Sequence, residues 1–234
     1  MTLTTAKIKL LALDTSTEAC SAALQYGNEL LTLDEVCPQQ HSKRVLPMVQ
    51  QLLNQAGISL NQLDGIVFGR GPGSFTGVRI GVGVTQGLAF GADLPVYGVS
   101  TLAAMAQAAL RLYGATQVIA AIDARMAEVY IGSFALQNGL MQPLIEEVAI
   151  KPQQLSGFNF SGQVYGVGTG WQTYADELRQ QQATSIAADI LYPSAQDMLT
   201  LALPALQAGN FVAAEQAEPV YVRDEVTWQK LPGR

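Results

Sequence analysis

The chain has 234 residues, 49% of them apolar, enough to bury a sizeable core in one large domain or two small lobes. With 13 basic against 19 acidic residues and a net charge of −6, it has no sequence-wide basic field, which excludes strong direct binding to a phosphate backbone. Cys20 and Cys37 are too few for a disulfide framework or a zinc site and read as core or surface thiols of a reducing cytosol. The opening MTLTTAKIKL lacks an apolar region followed by a small-residue cleavage site, so no signal peptide is expected. The most apolar long window, 74–91, carries Arg79, Gln86 and several glycines; an arginine in mid-span costs about 2.5 kcal/mol, so no membrane span is expected and the location reads as cytoplasmic.

In chain order, KLLALD at 9–14 is a short apolar run suited to a buried strand, and two further strands are expected around the Tyr26-Gly27-Asn28 turn. Ser42 is expected to cap a helix in which Val45, Val49, Leu52 and Leu53 share a face; Gly57 follows its end, and Pro47 removes one backbone donor. A strand at DGIVFG, the stretch GRGPGSFTGVRIGVGVTQGLAFG, a strand at PVYGVS and a helix over 101–112 complete a βββαβαβα order. The pattern then restarts. ALDTSTEACSAALQYG and AIDARMAEVYIGSFALQNG each hold a strand ending in Asp, a polar turn, a second strand and a glycine turn, so Asp14 and Asp123 are equivalent and the chain reads as a duplication. A strand at QVYGVGTG, a helix over 171–181, a helix over 194–207 and an extended AEPVYVRDEV follow.

The stretch 69–91 looks like a phosphate loop entering a helix, yet its chemistry is thin. It has no lysine, Gly69, Gly71 and Gly73 alternate strictly, and Pro72 deletes a donor, so a tight turn capped by Ser74 is expected. Gly77, Gly81, Gly83, Gly87 and Gly91 each forgo about 1 kcal/mol of helix propensity against Ala. Their four-residue spacing makes two smooth ridges. One must meet the chain's own sheet; the other either packs within the fold as well or receives a second chain.

Asp14 and Asp123 are placed either to hold magnesium and polarise water or simply to end strands in turns. His41, the one histidine, reads as a solvated helix-start residue, and Gly73-Ser74-Phe75-Thr76-Gly77 departs from a nucleophile elbow. GVGTGWQTY, with Gly168 and Gly170, is a second glycine turn of a type that receives an adenosine or packs tightly.

Together LALDTSTEACSAAL, GRGPGSFTGVRIG, AIDARMAEVY, GVGTGW and AEPVYVRDEVTWQKLPG resemble the bacterial TsaB family, also called YeaZ, in family order over nearly the whole chain. The resemblance implies an α/β, duplicated ribonuclease H-like fold of the actin, Hsp70 and sugar-kinase (ASKHA) type. Its two lobes would span 1–112 and 113–234, the last segment able to pack back on the first lobe. It implies a role in making threonylcarbamoyladenosine beside the tRNA anticodon, as a non-catalytic paralogue that supports the metal-bearing transferase TsaD, with the ATPase TsaE joining the assembly. TsaD-like relatives hold their metal with a His-x-x-x-His pair and an aspartate, and this chain lacks that pair, so no catalytic residue, metal or cofactor is expected. Association in the family uses the first two helices, which carried over here gives Val45, Val49, Leu53, Gly77, Gly81, Val84, Thr85 and Leu88 as partner contacts. Asp14, Ser16, Thr17, Asp123, Gly168 and Gly170 become vestigial nucleotide-type positions. The expected partners are a TsaD-like paralogue, a TsaE-like ATPase and, for the chain alone, a second copy, with neither strong direct tRNA binding nor a membrane. Two other readings stand beside this one: a small-molecule kinase or ATPase of the same fold, and a peptidase.

Overall fold

The computed structural model describes residues 8–155, 158, 160–179 and 185–223. The first half runs β1 (Lys9–Asp14), β2 (Ala19–Tyr26), β3 (Glu29–Val36), α1 (His41–Ala56), β4 (Gly65–Gly71), α2 (Phe75–Ala92), β5 (Val96–Ser100) and α3 (Thr101–Tyr113). Its sheet is ordered β3-β2-β1-β4-β5, antiparallel across β1–β2 and β2–β3 and parallel across β1–β4 and β4–β5. The second half supplies β6 (Gln117–Arg125), β7 (Glu128–Gln137), β8 (Leu140–Pro143), β9 (Val148–Ile150), β10 (Tyr165–Val167), α4 (Gly170–Thr173), α5 (Ala175–Arg179), β11 (Ser185–Ile186) and α6 (Ala195–Gln207). Here the order is β11-β10-β6-β7-β8, with β9 beside β7.

Strand for strand, the second sheet repeats the first. β6 and β7 are antiparallel, as are β7 and β8, while β10 runs parallel to β6 and β11 to β10. This repeated order is the duplicated ribonuclease H-like architecture, with Asp14 and Asp123 at matching ends of β1 and β6. The copies differ between the third and fourth strands. Where the first has α1, the second has β9 and a 3-10 turn at Pro152–Gln154 among the described residues.

Each sheet is covered on one face by residues from its own half. Val45, Met48, Val49 and Leu52 of α1 and Val78 and Val82 of α2 pack with Leu11, Leu13, Ala22 and Ile66. The opposite faces are covered by exchange. α3 sends Leu102, Met105, Ala106 and Ala109 against Val118, Ala120, Ile122 and Phe134 of the second sheet. α6 sends Ala195, Met198, Leu199 and Ala202 against Leu10, Ala12, Ala23 and Val67 of the first. The two helices are pinned by a bidentate ion pair, Arg111 Nε and Nη2 donating to Asp197 at 2.8 Å each. After α6 the chain returns to the first sheet. Val212 and Val96 exchange backbone hydrogen bonds, Ala214 and Ala217 join the α1–α2 core, and the Val220 N–H donates to Arg70 O at 2.8 Å. Arg223 then reaches the second half, donating to Glu128 at 2.6 Å and to Ala124 O at 3.1 Å.

Several expectations are corrected. The cap of α1 is Gln40, and Ser42 lies inside the first turn without a capping role. His41 is buried rather than solvated, because α1 starts two residues earlier than expected and turns its first side chain inward. The single helix over 171–181 is two short ones broken at Tyr174, whose φ of −127° and ψ of 46° leave the helical region; positions 180 and 181 lie outside the described residues, as does the expected extended stretch beyond Arg223. Among the described residues no helix is long and apolar enough to cross a membrane.

Candidate functional site

A cleft of about 410 Å³ opens between the β1–β2 turn, the start of α2 and the β6–β7 turn, lined by Ser16, Thr17, Gly73, Ser74, Asp123 and Arg125 among others. Its glycine-rich wall is already filled by the chain's own backbone. The Ser74 N–H donates to Ser16 O at 2.7 Å, and a Cβ at Gly73 would stand 2.2 Å from that same oxygen. Ser74 caps α2 by accepting from the Gly77 N–H at 3.3 Å. The donors that a phosphate loop aims at its ligand thus serve the turn after β1 and the helix itself.

Asp14 faces away from this cleft. One carboxylate oxygen accepts from the N–H and Oγ of Ser16, each at 2.9 Å. The other has no partner among the described residues and lies against Gly69, where an added Cβ would sit 1.7 Å from it. Burial pushes the carboxyl up to about 6, against the opposing pull of the two Ser16 hydrogen bonds. Asp123 has a different environment. It accepts from the Arg125 N–H at 3.0 Å and from Tyr174 Oη at 3.3 Å, and Arg125 sits 3.7 Å from it while also pairing with Glu18 at 3.2 Å. The two aspartates are therefore equivalent in topology and unlike in chemistry. Among the described residues no group of three or more His, Cys, Asp or Glu side chains is placed to hold a metal.

The second glycine turn is tight packing. Cβ atoms at Gly168 and Gly170 would stand 2.1 Å and 3.0 Å from Ala121 O. Thr17 Oγ1 accepts from the Ala19 N–H at 3.3 Å and so serves its own hairpin. Among the described residues His41 Nε2 has no hydrogen-bond partner, and Cys20 and Cys37 are both buried free thiols. Burial drives the Cys20 thiol up to about 12, far from a reactive thiolate.

The helix pair α1–α2 divides into two faces, and the expected partner residues fall mostly on the inner one. Val45, Val49, Leu53 and Thr85 are buried in the chain's own core; Gly77 and Gly81 press on the β1–β2 turn, where added Cβ atoms would stand 2.2 Å from Thr15 O and 2.8 Å from Thr15 Oγ1. Val84 and Leu88 are half-buried against the same core. The physical reason is that a helix gives its most apolar stripe to its own sheet, so the periodicity that marks Val45 or Leu53 marks the core. The outer face carries the other ridge. Gly83, Gly87 and Gly91 have nothing within 4 Å of an added Cβ, and Phe90 beside them is 74% exposed. On α1, Leu46 is exposed as well. Sequence reasoning found both ridges; which one faces out depends on the docking of Gly77 on Thr15, which spacing alone does not encode.

Residues 33–230 match the family model described as TsaD, tRNA N6-adenosine threonylcarbamoyltransferase. The chain is 47% identical, over 97% of its length and 100% of the relative's, to the tRNA threonylcarbamoyladenosine biosynthesis protein TsaB of Escherichia coli K12. It belongs to the TsaB family. A TsaB from Haemophilus influenzae is 46% identical over 97% of this chain and 98% of that one. The solved structure of YeaZ from Pseudomonas aeruginosa superposes with a TM-score of 0.87 at 49% identity, covering 92% of this chain and 99% of that one.

Arg125, Met126 and Ala127 at the tip of the β6–β7 hairpin all have left-handed backbones, with φ of 64°, 58° and 59°. No glycine marks the turn, so nothing in the residue types pointed to it.

Proposed function

We propose that this TsaB-family chain is a non-catalytic subunit in the synthesis of threonylcarbamoyladenosine in tRNA, working by docking a TsaD-like transferase, with a TsaE-like ATPase joining the assembly. The observation that carries this reading is the outer ridge of α2. Gly83, Gly87 and Gly91 forgo about 1 kcal/mol each against Ala, and among the described residues nothing lies within 4 Å of an added Cβ to offset it. A smooth glycine ridge flanked by exposed Phe90 suits the close approach of another helix pair. When the partner is absent the same face serves a homodimer, because a two-helix surface meets its own copy across a two-fold axis.

The cleft favours a second reading, a kinase or ATPase of the same fold. Against it stand the sealed carboxylate of Asp14 and the Arg125 guanidinium 3.7 Å from Asp123. The peptidase reading is opposed by Ser74 Oγ, which accepts from the Gly77 N–H as the helix cap, and by His41, which lines the same cleft but makes no hydrogen bond to Ser74 among the described residues.

The test compares Gly87→Arg with Asp14→Asn. Cells depleted of the native protein receive each variant at equal folded abundance, and their tRNA is assayed for threonylcarbamoyladenosine by mass spectrometry, with pull-down of the TsaD-like partner alongside. Docking requires that Gly87→Arg lose both partner and modification while Asp14→Asn keeps both. Full modification with Gly87→Arg, or its loss with Asp14→Asn at unchanged docking, would return the function to the cleft.

A further inference from the structure

A cavity of about 780 Å³ lies away from both the α2 ridge and the cleft, between the outer edge of β5 and the edge strand β8 of the other sheet. α6 closes it on a third side with Leu201, Pro204 and Ala205. Its walls are chiefly apolar, including Val99, Phe134 and Met141, and three charged residues line it: Arg70, Glu147 and, exposed at the surface, Glu146. Arg70, at the end of β4, has no ion pair or side-chain hydrogen bond among the described residues. Glu147, before β9, accepts from Ser100 Oγ through one oxygen, and its second oxygen takes no donor among the described residues. The two charges interact through space without pairing, and burial holds the Glu147 carboxyl above its ordinary value despite Ser100 and Arg70.

An unpaired guanidinium and an unpaired carboxylate oxygen across one apolar cavity select their ligand by exclusion. An anion leaves Glu147 repelled, a cation leaves Arg70 repelled, and an uncharged apolar molecule desolvates both charges without compensation. We propose that this cavity binds a free α-amino acid as its zwitterion, the carboxylate on Arg70, the ammonium on Glu147 and the side chain along the apolar wall. Guanidinium and carboxylate match as a planar fork, and three ammonium donors suit a carboxylate oxygen with room beside it. The volume favours a long or aromatic side chain over a small one.

The site is independent of the docking reading, and the isolated full chain tests it. Calorimetric titration uses L-phenylalanine, L-methionine and glycine, with N-acetyl-L-phenylalanine and L-phenylalanine amide as ligands that each lack one charge. Saturable one-site binding of phenylalanine and methionine is expected, glycine weaker, and each capped form weaker by about tenfold or more, the size of one charge-assisted contact. Arg70→Met should then bind the acid and its amide alike, and Glu147→Gln, which keeps an acceptor for Ser100, should bind the amine and its N-acetyl form alike. Arg70→Lys should retain most of the affinity. Absence of saturable binding by any zwitterion overturns the proposal. So does equal binding of the capped forms to the unmodified protein, a comparison that holds even where a variant fails to fold.

Discussion

Asp14→Asn isolates one buried charge. The folded protein holds the Asp14 proton up to about pH 6, against 3.8 for the ordinary carboxyl, so the folded state favours the neutral form. The sign follows directly: the contribution is whole below about pH 3.8, is lost as pH rises through about 6, and leaves an ionised carboxylate buried at neutral pH. A displacement of about two pKa units at roughly 1.4 kcal/mol each amounts to about 3 kcal/mol. Asparagine keeps the oxygen that accepts from Ser16 and replaces the orphaned oxygen with an amide nitrogen, itself unpartnered at a cost of about 1–3 kcal/mol. That second cost does not change with pH. The variant is therefore expected to be less stable than the native chain near pH 4 and level with it or more stable near pH 8, the difference swinging by about 3 kcal/mol. Urea unfolding followed by fluorescence at a series of pH values measures the swing. Parallel stability curves for the two proteins would refute the assignment of a raised Asp14 and the burial argument behind it.

The glycines of α2 should split by face. Gly87→Ala is expected to raise stability by about 1 kcal/mol in denaturant melts, having open space before it, while Gly81→Ala lowers stability because its methyl meets Thr15 Oγ1. Ala127→Gly, at a φ of 59°, should relieve about 1 kcal/mol of left-handed strain, seen as a higher thermal midpoint. Arg111→Ala strips the partner from Asp197, which is 1% exposed, and should cost about 3 kcal/mol by urea unfolding; Arg111→Ala with Asp197→Leu should recover much of that.

Much of the fold was legible because it is written in local signals. The run at Lys9–Asp14, the turn at Gly27, the left-handed cap at Gly57 and the Asp-ending repeat each mark an element by residue type alone. What the residues could not disclose is orientation in space. Nothing in the spacing of Gly77 and Gly81 against that of Gly83 and Gly87 says which ridge lies on Thr15, and nothing about Asp14 distinguishes a metal ligand from a carboxylate sealed against Gly69. The start of α1 was misjudged for a related reason. Ser42 has the chemistry of a cap, but the cap falls two residues earlier, at Gln40, and burial of the His41 ring outweighs that preference.

The exchange of α3 and α6 sets a timetable for synthesis. When residue 113 has left the ribosome, the strands of the first sheet and the helices α1 and α2 have all been made, yet the face bearing Leu10, Ala12, Ala23 and Val67 must wait for residues 195–207. At elongation rates of about 5–20 residues per second, that wait lasts roughly 5–20 s. For those seconds the nascent chain displays an open apolar sheet beside a helix, α3, whose own binding surface has yet to be translated. A message broken after codon 113 would release half of two cores, a client for chaperones and proteases, and a slow codon between the two helices would lengthen the exposure in proportion.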